Sequence, residues 1–338
     1  MRLRSLISRA GMSHAIRAFV FAAVLVCLTI GFASALAQDV APVGVTPTEE
    51  PPPSFAREPR RRAQVIIEGE LVNLELFFIV LNQGRTGVIR VAPQDGSATA
   101  LAEVRGRFLD RDVTFYPADD GYYALLAASM EQPVARSNPL EVNITTTGDR
   151  METVNANVEI VTGEFIRQQV TLPPASAALI DPALDRSEIA RLYSVFDGLI
   201  TERAWDADGF TVPVGSALTS PFGAFRTFNE TFNTRHTGWD FRVGVGAPLM
   251  ASAAGRVVYA GDLPIRGSHV IVDHGVGVYT GYSHLATRHV TQGQMLARGQ
   301  VIGTVGTTGR VSGAHFHWEV AVNGAFVDGA YFVTMWMP

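Results

Sequence analysis

Two histidines separated by one residue stand near the C-terminal end of the chain, in His315-Phe316-His317. In an extended strand successive side chains alternate faces, so these two rings share one face and Phe316 and Trp318 share the other. One face is imidazole-lined and the other apolar. That is how a sheet can set a metal ligand beside a group that moves protons. A second cluster is His236-Thr237-Gly238-Trp239-Asp240. Positions four apart in a strand lie about 13 Å from each other, too far for two ligands of one metal. The backbone must therefore bend between them, and Gly238 is the residue that allows it. His236, Asp240 and one of His315 and His317 make a set of two histidines and one carboxylate. That is the composition of a catalytic zinc shell whose fourth position is left to water. A structural zinc would close the tetrahedron with a fourth protein ligand, either His284 or the second histidine of the pair. By itself a His-x-His pair reads as two half-exposed strand histidines, because so short a motif recurs by chance.

The elements that would position these residues follow from composition. The chain has 338 residues, 47% of them hydrophobic and 17% charged, with 32 glycines and 18 prolines. This mix suits β-structure with many turns. No lysine occurs, so all 27 basic residues are arginine. Schiff-base chemistry and lipoyl or biotinyl attachment are thereby excluded. The formal net charge is -5, which argues against non-specific nucleic-acid binding.

The N-terminus reads as a secretory signal over residues 1–37. Arg2, Arg4, Arg9 and Arg17 form a basic region, Ala18 to Phe32 is apolar, and Ala35-Leu36-Ala37 gives the small-x-small cleavage pattern. The apolar run is short of the roughly 20 residues of a membrane span, so no stable span is expected after cleavage. Cys27, the single cysteine, lies inside this run. The mature chain would use neither disulfides nor thiolate zinc ligands.

Residues 38–63 are Pro-rich with mixed charge and read as a disordered or extended linker. From Gln64 short β-prone runs alternate with turn signals: 65–67, 71–81, 88–91, 113–116, 122–126, 140–147, 154–161 and 165–172. They predict an immunoglobulin-like β-sandwich over 64–172. The segment 173–210 reads as a helical connector. Its helix is expected over Asp185 to Glu202, with Ser187 as N-cap and Ile189, Leu192, Tyr193, Phe196 and Ile200 forming the apolar stripe. From 211 to 338 strands separated by glycines predict a compact antiparallel β domain with no strong helical periodicity. The expected fold class is therefore mainly β.

A third element, Tyr282-Ser283-His284-Leu285, completes a pattern. His-x-Gly-x-Asp, then Ser-His-Leu, then Gly313-Ala314-His315-Phe316-His317-Trp318-Glu319 resembles the M23 (LytM/lysostaphin-type) zinc metallopeptidases. Ser220-Pro221-Phe222-Gly223, Gly246-Ala247-Pro248-Leu249 and Asp273-His274-Gly275 stand in matching order. The resemblance covers about Val212 to Phe332. It departs from the family at Val327-Asp328-Gly329, where a proline commonly follows the aspartate. The sandwich and connector are more loosely similar to proteins in which an immunoglobulin-like domain precedes such a peptidase domain.

The resemblance implies that His236, Asp240 and His317 ligate one zinc ion per chain, and that His284 and His315 flank its water as catalytic groups. It implies an exported metalloendopeptidase that hydrolyses peptide cross-links of bacterial peptidoglycan by a zinc-activated water. The location would be the periplasm, the cell envelope or the outside of the cell. Peptidoglycan peptides are the expected partners, with other cell-wall proteins as further candidates. The alternative is a catalytically silent relative that activates another wall hydrolase; such relatives usually lack one of the five residues, and here all five are present. His274 reads as a solvated turn histidine, His269 and His289 as structural, and Phe222 as core. Arg226 and Tyr282 are candidates for a substrate groove.

Overall fold

Some strands here are apolar at consecutive positions, as in Val88-Ile89 and Tyr123 to Ala127. A strand that sends apolar side chains to both faces needs a core on each side. The computed structural model, which describes residues 55–94, 96, 100–196, 200 and 202–338, has that arrangement. Ile89, Val91, Ala124 and Leu126 enter one apolar cluster, while Val88, Tyr123, Leu125 and Ala127 enter another.

The first cluster lies in a region of ten strands, β1 (Val65–Glu68), β2 (Val72–Leu76), β3 (Val80–Asn82), β4 (Thr86–Pro93), β5 (Leu101–Phe108), β6 (Arg111–Thr114), β7 (Tyr116–Ala118), β8 (Gly121–Ala127), β9 (Ala135–Thr146) and β10 (Met151–Val161), of which β7 faces the other cluster through Tyr116 and Ala118. They form two five-stranded sheets, in the orders β1-β2-β4-β8-β7 and β3-β10-β9-β5-β6. Both sheets contribute to the shared core, Leu74 and Ile89 from one, Leu140 and Val158 from the other. Strand β5 is absent from the sequence-based expectation. Its outward residues include Glu103, Arg105 and Arg107, and a register shift between Leu101 and Glu103 breaks the alternation that would have revealed it.

Next come β11 (Arg167–Val170), α1 (Pro174–Ala177) and α2 (Pro182–Phe196). The pattern of 165–172 predicts the last strand of the sandwich. Instead β11 leaves those sheets and pairs in parallel with a later strand, Gln168 opposite Arg226. Helix α2 begins earlier than the expected Asp185. Asp181 caps it, accepting from Ala183 N at 2.7 Å, and Pro182 takes the first helical position, where no N–H is needed. Ser187 lies inside the helix, its hydroxyl donating back to the Leu184 carbonyl. Leu192 packs with Ile271, Tyr279 and Phe326, which joins α2 to the C-terminal sheet.

That region contains β12 (Leu218–Ser220), β13 (Phe225–Phe228), β14 (Phe232–Arg235), β15 (Trp239–Phe241), β16 (Pro248–Met250), β17 (Gly255–Leu263), β18 (Gly267–Asp273), β19 (Val278–Ser283), β20 (Leu285–Arg288), β21 (Met295–Leu296), β22 (Val301–Val305), β23 (Phe316–Val322), β24 (Ala325–Val327) and α3 (Gly329–Thr334). The main sheet runs β12-β15-β23-β19-β18-β17-β21, with β24 on β23, and β16-β22-β20 form a smaller sheet. All pairings in these two sheets are antiparallel. The short α3 has no counterpart in the expected strands; Asp328 caps it by accepting from Ala330 N and Tyr331 N.

The expected signal segment 1–37 and the linker up to residue 54 lie outside the described residues. Residues 55–63 form no helix or strand but are docked. Glu58 N donates to the Thr334 carbonyl at 2.7 Å, and Arg60 pairs with Asp120 at 2.6 Å while stacking over Trp336. The arginine run is thus partly engaged with the folded chain rather than wholly solvated. All described residues fall within one compact unit.

Candidate metal centre

The site is set by sheet register. Asp240 of β15 stands opposite His317 of β23, and His317 stands opposite Ser283 of β19. Residues directly opposite on adjacent strands have neighbouring side chains, so Asp240 and His317 meet without any loop to arrange them. Phe316 and Trp318 point to the other face and are 0% and 1% exposed in the core. His236 follows β14, and the chain turns through Thr237-Gly238 to bring its ring over Asp240. Gly238 is required for a different reason from the bend expected above. Its φ is not in the left-handed region, but a Cβ there would lie 2.1 Å from the Trp318 carbonyl oxygen.

The side chains converge at three atoms. His236 Nε2 lies 3.1 Å from Asp240 Oδ1 and 2.9 Å from His317 Nδ1, and His317 Nδ1 lies 2.8 Å from Asp240 Oδ1. The other ring nitrogens assign the tautomers. His236 Nδ1 donates to the Pro221 carbonyl at 2.7 Å, and His317 Nε2 faces Glu319 Oε1 at 3.3 Å. Both imidazoles therefore turn lone pairs toward a carboxylate oxygen. Three acceptors at this spacing, each residue 3 to 6% exposed, call for a positive charge between them. A proton on His317 satisfies part of that demand, and a metal cation satisfies all three donors. Two imidazoles and one carboxylate, each second nitrogen anchored by a carbonyl or carboxylate, are the donor set that suits zinc. Among the described residues these three form the group of ligand atoms close enough to hold a metal ion.

The electrostatics fit that reading. Burial holds the His236 imidazole down to about 4, against the pull of Asp240. Burial alone would raise Asp240, but His236 and Arg226 keep its carboxyl well below the usual range. Arg226 donates to Asp240 Oδ2, leaving Oδ1 for the shared point. The same guanidinium group donates to Ser220 Oγ at 2.6 Å, and Ser220 donates to Gln168 of β11 at 2.6 Å. Burial lowers His317 too, but its bonds to Asp240 and Glu319 outweigh that and raise it.

His284 and His315 stand beside the triad with ring centroids 4.8 Å apart. His284 Nδ1 donates to the Thr308 carbonyl, and His315 Nδ1 donates to the Gly313 carbonyl, so each has an Nε2 lone pair. His315 Nε2 is 3.7 Å from Asp240 Oδ1. Burial, then the neighbouring His315 and His317, push His284 well below its ordinary value. His284 has φ 62, a left-handed conformation that histidine tolerates better than most residues. Its N–H donates to the Arg266 carbonyl and its carbonyl accepts from Gly306 N, fixing that conformation between β19 and β20.

Two clefts meet at the site. One, of about 440 Å³, runs between Met130, Asp185, Ile189 and Arg235 toward His236 and His317. The other, of about 470 Å³, runs along Thr219, Ser312 and His315. Both reach His284, Arg226, Phe228 and Arg310. Of the two groove candidates, Arg226 lines both clefts, whereas Tyr282 is fully buried, its hydroxyl bonded to Ser252. Phe222 is core, as expected. His274 is not solvated: it is 0% exposed, between the Ala254 carbonyl and Thr280 Oγ1. His269 is buried beside Ser283.

Sequence reasoning missed Glu319 and Arg266. Glu319 was readable, because it is the next same-face residue after His315 and His317. Arg266, from a turn 53 positions away, binds Glu319 through two nitrogens and had no local signal.

Residues 234–329 match Peptidase family M23. Peptidoglycan DD-endopeptidase ShyA of Vibrio cholerae is 43% identical over 93 residues, 28% of this chain and 22% of that protein. DD-carboxypeptidase/endopeptidase Mpg of Neisseria meningitidis is 39% identical over 123 residues, 36% of this chain and 28% of that protein. The matches thus span about a quarter of the length of these relatives. A crystal structure described as a putative peptidase M23 from Pseudomonas aeruginosa has 25% identity and a TM-score of 0.55, and the likeness covers 76% of this chain and 95% of that one. The segment that carries the triad and both flanking histidines, residues 234–329, belongs to peptidase family M23.

Proposed function

We propose that this chain is an exported zinc metalloendopeptidase that hydrolyses peptide cross-links of bacterial peptidoglycan. The observation that carries the proposal is the buried convergence of His236 Nε2, Asp240 Oδ1 and His317 Nδ1, all within 3.1 Å of one another, with the His284 and His315 rings alongside. Names of the curated relatives, peptidoglycan DD-endopeptidases, support a cross-link between D-centres as the scissile bond. The N-terminal signal pattern supports an envelope location. The two-sheet region 64–161 fits an immunoglobulin-like module.

In this reading His236, Asp240 and His317 hold the ion. Bound zinc supplies Lewis acidity and brings the pKa of a water to about 7. The protein supplies the proton path. With Nδ1 tied to backbone carbonyls, His284 and His315 each offer Nε2 as a proton acceptor, and each can return a proton from the same atom to the leaving amine. A protonated ring also stabilises the oxyanion that develops on the substrate carbonyl. Arg226 keeps Asp240 ionised and oriented. Glu319 keeps the His317 tautomer correct.

Digestion of isolated peptidoglycan by the purified mature chain tests the proposal, with mass analysis of the products. Cross-linked dimers should fall to monomers, and a chelator should stop the reaction. Intact cross-links from a zinc-loaded chain, together with stimulation of a second wall hydrolase, would overturn it in favour of an activator.

A further inference from the structure

Helix α2 lies outside residues 234–329, yet one of its carboxylates ends in the polar core behind the metal centre. Glu188 is 3% exposed. Its Oε2 accepts from Ile265 N at 2.6 Å, and its Oε1 accepts from Arg266 N at 3.1 Å and from the Arg266 guanidinium at 2.9 Å. The remaining face of that guanidinium grips Glu319, with Nε donating to Oε2 at 2.8 Å. Glu319 in turn faces His317 Nε2. Arg266 also reaches the other side of the site through its backbone, since its carbonyl accepts the His284 N–H at 2.8 Å.

We propose that Glu188 is a positioning residue for the metal centre, aiming His317 through Arg266 and Glu319 and holding His284 through the Arg266 backbone. The inference rests on the zinc reading of the triad. Its physical basis is saturation. Glu188 satisfies two backbone N–H groups and one guanidinium nitrogen at once, and a buried polar network is rigid only when every member is paired. A simple anchor for α2 would not need this arrangement. Leu192 and its apolar neighbours already dock the helix, and burying charges for stability alone often gains nothing over apolar packing. Outer groups that orient metal ligands typically change metal affinity by about 10- to 100-fold when removed.

The test uses the full mature chain, stripped of metal and titrated with zinc against a chromophoric chelator. Glu188→Gln keeps the side-chain shape but loses the charge. It should fold, as judged by near-UV circular dichroism, bind zinc at least about tenfold more weakly, and lose kcat more than KM. Glu188→Asp keeps the charge on a shorter arm, so it should fold and show a smaller loss in the same direction. A merely structural role would lower the melting temperature of the metal-free chain and leave the zinc affinity of the folded chain unchanged. If folded Glu188→Gln keeps zinc affinity and kcat within about twofold of wild type, or if Glu188→Asp loses as much as Glu188→Gln, the proposal is wrong. Absence of zinc binding by the wild-type chain would instead overturn the zinc reading, and this inference with it.

Discussion

Gly238→Ala should uncouple the metal centre while leaving every ligand in place. A Cβ at 238 would lie 2.1 Å from the Trp318 carbonyl oxygen and 2.8 Å from its carbon, whereas real Cβ contacts begin near 3.0 Å. Both atoms are backbone, so no side chain can swing away. The strands β15 and β23 must part by about 1 Å at this point. Trp239 pairs with Trp318, and Asp240 with His317, so the displacement falls one residue from the ligand pair. Ligand sets tolerate only about 0.5 Å of misplacement. Overpacking of this kind destabilises a fold by about 1–3 kcal/mol, or a fall of roughly 2–12 °C in melting temperature at about 2–4 °C per kcal/mol. The zinc affinity of the chain that remains folded should fall by at least about tenfold. Gly244→Ala is the control: nothing lies within 4 Å of its Cβ, and its stability should change by under about 1 kcal/mol. Calorimetry of the metal-free proteins and zinc titration provide both readouts. A folded Gly238→Ala chain with wild-type zinc affinity would refute the claim that backbone contact, rather than side-chain packing, spaces Asp240 and His317.

The remaining expectations separate roles. His317→Ala and His236→Ala should each abolish stoichiometric zinc, measured by metal analysis after dialysis. His284→Ala and His315→Ala should retain zinc and lose about 10²–10⁴ in kcat, measured on purified cross-linked muropeptides. Arg226→Met should weaken zinc binding, because the Asp240 carboxylate loses the group that holds its second oxygen; an unchanged binding isotherm would remove Arg226 from the site. Acid should destabilise the metal-free fold. Burial holds His274 neutral, with its pKa lowered from 6.5 to about 4. The unfolded chain therefore binds the extra proton first, and the stability from this group is complete above 6.5 and lost as pH falls toward 4. Asp273, raised to about 6 by burial, acts in the opposite sense, favouring the fold below about 4 and ceasing to do so as pH rises through 6. His269, lowered to about 3, adds to the effect of His274, so melting temperature should fall from pH 6.5 to 4.

Local patterns carried most of the architecture. The runs that became β4, β8, β9, β10, β18, β19 and β23 are long enough, and apolar enough on at least one face, for period-two alternation to be visible. What failed was pairing. The 165–172 run is β-prone, but only tertiary context decides that Gln168 lies beside Arg226 rather than within the preceding sheets. Strand β5 hid behind its charges because a solvated face contributes no apolar signal. The start of α2 was misplaced because Ser187 resembles a cap, and only the backbone reveals that Asp181 and Pro182 fulfil that function first.

The candidate site divides along the same physical line. His315, His317 and Glu319 share a strand face, so a spacing of two was enough to bring them together, and the first two were found that way. His236 and Asp240 required a turn whose need could be argued from distance alone. Arg226, Arg266 and Glu188 act through space, from three elements with no common periodicity. Each approaches the ligands from behind: Arg226 on Asp240, Arg266 on Glu319, Glu188 on Arg266. A sequence motif records the atoms that face the metal because chemistry restricts their type and strand geometry restricts their spacing. The groups behind them need only a charge of the right sign at the right point, and many positions in the chain can supply that. This is why the proposed ligands were legible and their supports were not. It is also why a helix outside the M23 segment can be part of the machinery.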